Sequence, residues 1–144
     1  MLWIGIHLPQ LALDTALRGL SSPEMWAIVE NGHILFPDGK ARARGIREGM
    51  TVNTALGFAA RLRTLPRDRS AETETLLGLA AWAGRFTPSV AVEFPDTLLL
   101  EVEPSLKIFH GLEAILHEIR KGMDQLGFHA QLGCAPTPRA AAWF

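Results

Sequence analysis

The sequence predicts an α+β fold of ferredoxin-like type: a mostly antiparallel sheet backed by helices, with a small helical lobe inserted. Three observations carry this prediction. Apolar runs bounded by turn residues at 2–8, 89–94, 97–102 and 129–135 read as strands. Apolar residues spaced by three and four mark helices at 70–86 and 105–126. The resulting order, β α ββ α α ββ α β α, mixes hairpins with helices in the manner of an α+β sandwich.

Each element has a local reason. Leu2 to Leu8 (LWIGIHL) reads as a buried strand, and Pro9 stands where a helix can begin, with Leu11, Ala12, Ala16 and Leu17 at helical spacing. Ser21-Ser22-Pro23 is a loop. Residues 25–36 form a hairpin, because Asn31-Gly32 between two apolar runs is a strong two-residue turn signal. Residues 39–45 read as one or two helical turns closed by Gly45, and Thr51 as the N-cap of a helix carrying Val52, Ala55, Leu56, Ala59 and Leu62. Residues 63–66 are a short extended connection. Ser70 is the expected cap of the next helix, which places Glu72 and Glu74 in its first turn, where the helix dipole favours negative charge. Thr87-Pro88 stops it. The helix from Ser105 carries Phe109, Leu112, Ile115, Leu116, Ile119, Met123 and Leu126, and Gly127 suits its C-cap. A last helix starts near Thr137-Pro138, and Trp143-Phe144 follow only about two turns into it, so the chain is expected to be the N-terminal piece of a longer protein. The predicted organisation is a palm-like α+β part at 1–36 and 66–144, with a smaller basic lobe at 37–65.

Composition narrows the class. Of 144 residues, 48% are hydrophobic, enough for a core and too many for a disordered chain. No apolar run approaches the ~18–20 residues of a membrane span, and the N-terminus lacks a basic, cleavable leader. Cys134 is the only cysteine, which excludes a disulfide framework and a thiolate zinc cluster. A cytoplasmic protein that does not enter membranes is expected. Charge is uneven: Lys40, Arg42, Arg44, Arg47, Arg61, Arg63, Arg67 and Arg69 face only Glu48 and Asp68 in the same stretch. Such a region suits phosphates, although a solvated arginine-rich surface gives the same pattern.

The search for chemistry excludes more than it finds. None of the five histidines, His7, His33, His110, His117 and His129, has a partner at helical metal-site spacing. No phosphate-binding loop and no nucleophile elbow is present. Cys134 reads as a buried thiol, and Trp3, Trp26, Trp82 and Trp143 as core residues. Phe58 alone interrupts the basic region with an aromatic ring, so phosphate contact suits it better than base stacking. In the hairpin Val92 to Glu103, Glu93, Glu101 and Glu103 share the parity of Thr97 and Leu99, a face expected to be wet. Asp96 sits at the turn and is expected to face away from them.

The order of segments resembles the palm and fingers of Y-family (translesion) DNA polymerases. Ala41-Arg42-Ala43-Arg44-Gly45-Ile46-Arg47-Glu48-Gly49-Met50 resembles that family's fingers run of the type E-A-R-x-x-G-V-x-x-G-M. Leu65-Pro66-Arg67-Asp68, a helix and a two-strand hairpin follow in the family's order, and Leu132 to Arg139 occupy the place of its G-[IV]-[SA]-x-N-K element. The resemblance implies a two-magnesium phosphoryl-transfer centre built from carboxylates. Its matching positions here are His7 and Pro9 on the first strand and Asp96 and Thr97 on the hairpin, so one of three metal ligands survives. Arg42 matches the arginine of the incoming triphosphate. Gly39 stands at a tyrosine position and Ala12 at the steric-gate aromatic. Pro138 replaces the phosphate-binding lysine, with Arg139 adjacent as a substitute.

A polymerase-like chain without its carboxylates is similar to the ImuB-like subunits of the bacterial damage-induced mutasome. Ile6-His7-Leu8-Pro9, Arg85-Phe86-Thr87-Pro88 and Ala135-Pro136-Thr137-Pro138 carry that similarity. It implies a non-catalytic scaffold without metal or cofactor in translesion synthesis. The implied partners are an error-prone replicative-type polymerase, a RecA-like accessory protein and the sliding clamp, mostly through parts absent from this chain. Weak, salt-sensitive DNA binding through Arg42, Arg44 and Arg47 is expected. Two alternatives stay open: a divergent active polymerase that recruits Glu93 or Glu101, and an unrelated ferredoxin-like binding module.

Overall fold

The computed structural model describes residues 1–18, 20 and 23–142; Gly19, Ser21, Ser22 and the pair Trp143-Phe144 lie outside the described residues. The chain divides into two compact units, one made of Met1–Leu11 with Ser70–Phe144, the other of Ala12–Arg69.

The first unit is built on β1 (Trp3–His7). After the second unit, which holds α1 (Leu11–Leu17) from its second residue on, β2 (Trp26–Glu30), β3 (His33–Pro37), α2 (Gly39–Ala43), α3 (Val52–Phe58) and β4 (Arg63–Pro66), the chain continues through α4 (Arg69–Ala83). The hairpin β5 (Val90–Glu93) and β6 (Thr97–Glu101), then α5 (Leu112–Leu126), β7 (Gln131–Ala135) and α6 (Pro138–Ala141), complete the first unit. Its sheet has the order β5-β6-β1-β7 and every pairing is antiparallel, which is the sheet the sequence predicts.

Alternation sorts this sheet into two faces. Ile4, Ile6, Leu98 and Leu100 are fully buried against Leu76, Leu79 and Ala83 of α4 and Ile115, Ile119 and Met123 of α5. Each large side chain so buried contributes roughly 1.5–3 kcal/mol relative to exposure. The opposite face is not simply wet. Gly5, Thr97 and Leu99 are buried there too, because α6 packs across β1, β6 and β7. Glu93 and Glu103 are exposed and Glu101 is half-buried, so the solvated part of that face is its margin.

Three local expectations shift. The α5 helix starts at Leu112 and not at Ser105, because His110 (φ 64°) and Gly111 (φ 111°) adopt left-handed backbone that an α-helix excludes; Glu103–Ser105 is a separate turn of 3₁₀ helix. The α4 helix starts at Arg69, one residue before the expected Ser70 cap. Cys134 is exposed, because β7 is an edge strand. Gly127 does cap α5 in the left-handed conformation, and Asn31 (φ 53°) and Gly32 (φ 73°) make the expected hairpin turn.

The second unit is built on a three-stranded sheet, β3-β2-β4, in which β2 and β4 run parallel; the expected extended connection at 63–66 is therefore a strand. Ala27 and Ile34 of this sheet share a core with Ala41, Ile46, Ala55 and Leu62. The two short helices survive by capping: the Asp38 carboxylate accepts from the Ala41 N–H at 2.8 Å, and the Thr51 hydroxyl accepts from the Thr54 N–H at 3.2 Å. Trp3 and Trp26 are half-buried and their indole N–H groups lack a hydrogen-bond partner. Trp3 pairs with Glu101 on the face away from Ile4, so it is not part of the main core.

Candidate functional site

Register alone assembles the site. His7, the last residue of β1, is the direct antiparallel partner of Thr97 on β6 and of Gln131 on β7. Residues opposite one another in an antiparallel pair project from the same face. Asp96 comes from the turn between β5 and β6, and its carbonyl accepts from the Leu8 N–H at 2.9 Å, which pins the turn beside the end of β1.

The side chains then converge. Nε2 of His7 lies 3.2 Å from Oδ2 of Asp96, and the Thr97 hydroxyl donates to Oδ1 of the same carboxylate at 3.0 Å. Nδ1 of His7 lies 3.3 Å from Oε1 of Gln131. Both oxygens of Asp96 are thus held by neighbouring donors, one on a ring and one on a hydroxyl. The His7 and Asp96 side chains are 31% and 37% exposed, so water screens their attraction. Just along the chain, Gln10 donates to Nδ1 of His129 at 2.7 Å. Gln131, Gln10 and His129 had no signal in the sequence, because only the β1–β7 register places them here.

The expected orientation of Asp96 needs correction. It lies in the turn, outside the alternation of the strand, and its carboxylate meets His7 and Thr97. Glu93 is the direct partner of Thr97, so it projects from the His7 face as well, although it is exposed.

A two-magnesium centre needs several anionic oxygens facing the ions. Here Asp96 is the carboxylate that meets His7 and Thr97, and its oxygens accept from them. Among the described residues no three His, Cys, Asp or Glu side chains group closely enough to hold an ion. The donor set does not fit that centre.

The basic residues are not equivalent. Arg42 pairs with Glu48 at 2.9 Å. Arg47 donates to the carbonyls of Arg42 and Ile46 at 2.9 and 3.0 Å, closing the C-terminal end of α2. Arg44 is exposed. These three belong to the second unit, whereas Arg139 is exposed on α6 in the first, where Thr137 caps the helix through the Ala140 N–H. Of the family-matched positions, Ala12 is buried, and Pro138 is the first residue of α6.

An antiparallel β5-β6-β1-β7 sheet backed by two helices, with a second unit of small helices and strands inserted after β1, is the palm and fingers of a Y-family DNA polymerase fold. A Dbh ternary complex superposes with a TM-score of 0.76 at 15% identity, covering 98% of this chain and 43% of that one. DinB from Sulfolobus solfataricus superposes with a TM-score of 0.68, also at 15% identity, covering 95% of this chain and 42% of that one. The model of the impB/mucB/samB family (IMS) matches residues 19–143, and the chain belongs to that family. Protein ImuB of Caulobacter vibrioides is 29% identical over 99 residues, 69% of this chain and 21% of that protein. The chain therefore spans about a fifth of the length of that relative. Membership overturns the reading as an unrelated ferredoxin-like module. No helix among the described residues is long and apolar enough to cross a membrane.

Proposed function

We propose that this chain is the palm and fingers part of a catalytically silent, Y-family polymerase-like subunit that acts as a scaffold in damage-induced translesion DNA synthesis. One observation carries the reading: the Asp96 carboxylate, at the position where the resemblance expects a metal ligand, accepts from His7 and Thr97, a ring and a hydroxyl where the resemblance expects carboxylates. An imidazole and a hydroxyl cannot balance two dications, and the lost charge stabilisation is worth several kcal/mol. The similarity to ImuB supports the same assignment. In this reading His7, Asp96 and Thr97 are remnants of the catalytic site, and Arg42 and Arg139 of the phosphate-binding set. Residues 37–65 are the basic part of the fingers-like unit, with weak DNA contact through Arg42, Arg44 and Arg47. The partners are an error-prone replicative-type polymerase, a RecA-like accessory protein and the sliding clamp, held mainly by other parts of the protein, in the cytoplasm.

A divergent active polymerase is the second reading, and one observation favours it: Glu93 shares the His7 face. Primer extension separates the two. The scaffold reading expects no extension above background with magnesium or manganese. Extension that disappears in Asp96→Ala or Glu93→Gln would establish an active enzyme.

A further inference from the structure

The first unit carries a groove on its helical side, formed by α4, the turn after it and α5, with a volume of about 460 Å³. It lies behind the sheet, whereas His7, Asp96 and Thr97 sit on the other face. Its floor is aromatic. Trp82 packs edge-to-face on Phe86 with ring centres 5.3 Å apart, and Phe86 meets Phe109 at 5.6 Å. The absence of a side chain at Gly122 lets α5 approach the indole: a Cβ there would stand 2.1 Å from Cζ2 of Trp82. Leu126 continues the apolar lining, and Ile108, next in the chain to Phe109, is 74% exposed.

The rim is charged and selective. Arg85 lies over the Trp82 ring at 5.1 Å and donates through Nε to the Trp82 carbonyl at 3.3 Å, so its guanidinium is held in place. Lys121 stands on α5. Neither cation forms an ion pair among the described residues. Glu118 is the single acid of the lining. An aromatic floor below two unpaired cations, one of them the held Arg85 and the other the exposed Lys121, has the chemistry of a site for an apolar anchor flanked by carboxylates. The volume lies in the range of ligand-sized clefts.

We propose that this groove docks a segment of a protein partner carrying an aromatic or aliphatic anchor with acidic residues beside it. Such docking leaves the sheet face that bears His7 and Asp96 unobstructed, so the proposal does not depend on whether that site is catalytic.

The test is fluorescence polarisation with a labelled 14-residue amphipathic peptide bearing one Trp and two Leu on one face and Asp and Glu at its flanks. A matched peptide with Lys in place of every acid is the comparison. Saturable binding of the acidic peptide in the micromolar range is expected, at least tenfold tighter than the basic one. The double variant Arg85→Glu and Lys121→Glu should lose at least tenfold, and Glu118→Lys should tighten binding two- to fivefold with an unchanged melting profile. Equal affinity for the two peptides, no saturation at millimolar peptide, or indifference to both sets of substitutions would overturn the proposal. So would a change of sedimentation in the groove variants without a change in peptide affinity, since that would make the face a contact between copies.

Discussion

Replacing His7 by aspartate tests the account of the site most directly. The substitution puts a second carboxylate next to Asp96 where the ring nitrogen now lies 3.2 Å from its oxygen. It removes the hydrogen bond to Asp96, worth about 0.5–1.5 kcal/mol. It also brings two like charges to about 4 Å, which costs about 1–4 kcal/mol for effective dielectric constants between 80 and 20. Both side chains are about a third exposed, so the lower end applies, and the sum is about 2 kcal/mol. For a chain of this size that lowers Tm by roughly 6–10 °C. A divalent cation then has two facing carboxylates to bind. If its Kd is about 1 mM, 10 mM magnesium returns about 1.4 kcal/mol through linkage. The assay is thermal unfolding followed by circular dichroism with 10 mM magnesium chloride, against sodium chloride of equal ionic strength. The substituted protein should regain several degrees and the parent none. An equal magnesium-dependent rise in the parent would refute the claim that its ligand set is incomplete. A variant that melts like the parent would refute the His7–Asp96 geometry.

Five further outcomes follow from the same structure. Gly122→Ala forces the Trp82 ring to move out from between α5 and Arg85; overpacking of this kind costs about 1–3 kcal/mol, read as a lower denaturation midpoint with an unchanged slope. Among the arginines, Arg47→Ala should destabilise the protein by about 1 kcal/mol, because it exposes the carbonyl end of α2. Arg44→Ala should leave stability unchanged and reduce the salt dependence of DNA binding by about one unit of slope, measured by titration at several salt concentrations. The Cys134 thiol is held above the usual range, first by desolvation and then by Glu113, with Arg120 opposing. Its thiolate is therefore scarce at neutral pH, and alkylation by iodoacetamide should be slower than for a free cysteine until the pH rises further. Glu30 is held below the usual carboxylate range, first by its hydrogen bond from Arg69 and then by the charges of Arg69 and Arg67, against desolvation. A lowered carboxylate stabilises above its unfolded pKa of about 4.3 and loses that contribution as pH falls through the folded value. Glu30→Gln should therefore differ from the parent at pH 7 and converge with it in acid.

Much of the architecture was legible in local pattern. The Asn31-Gly32 turn, the Thr51 cap and the Gly127 cap are short-range chemistry, set by backbone conformations that few residues tolerate. The four strands of the main sheet and the apolar stripe of α5 follow from periodicity, which burial on one face imposes. The start of α5 was not legible, because helical spacing runs back through Phe109 while a left-handed backbone at His110 and Gly111 interrupts it. Phe109 still reaches the core, from a turn.

The site divides along the same line. That position 7 is a histidine and position 97 a threonine, neither of them a carboxylate, is a matter of residue identity, and identity survives in any reading of the chain. That Asp96 turns toward them, that Gln131 meets His7 from the other side, and that Glu93 shares their face depend on strand register and on the path of a turn. Those are settled by hydrogen-bond pairing between residues as far apart as His7 and Gln131. Pattern along one strand specifies which residues share a face, but not which neighbour they will meet across the sheet. The tertiary structure supplied that neighbour, and with it the hydroxyl and the ring that hold the Asp96 carboxylate.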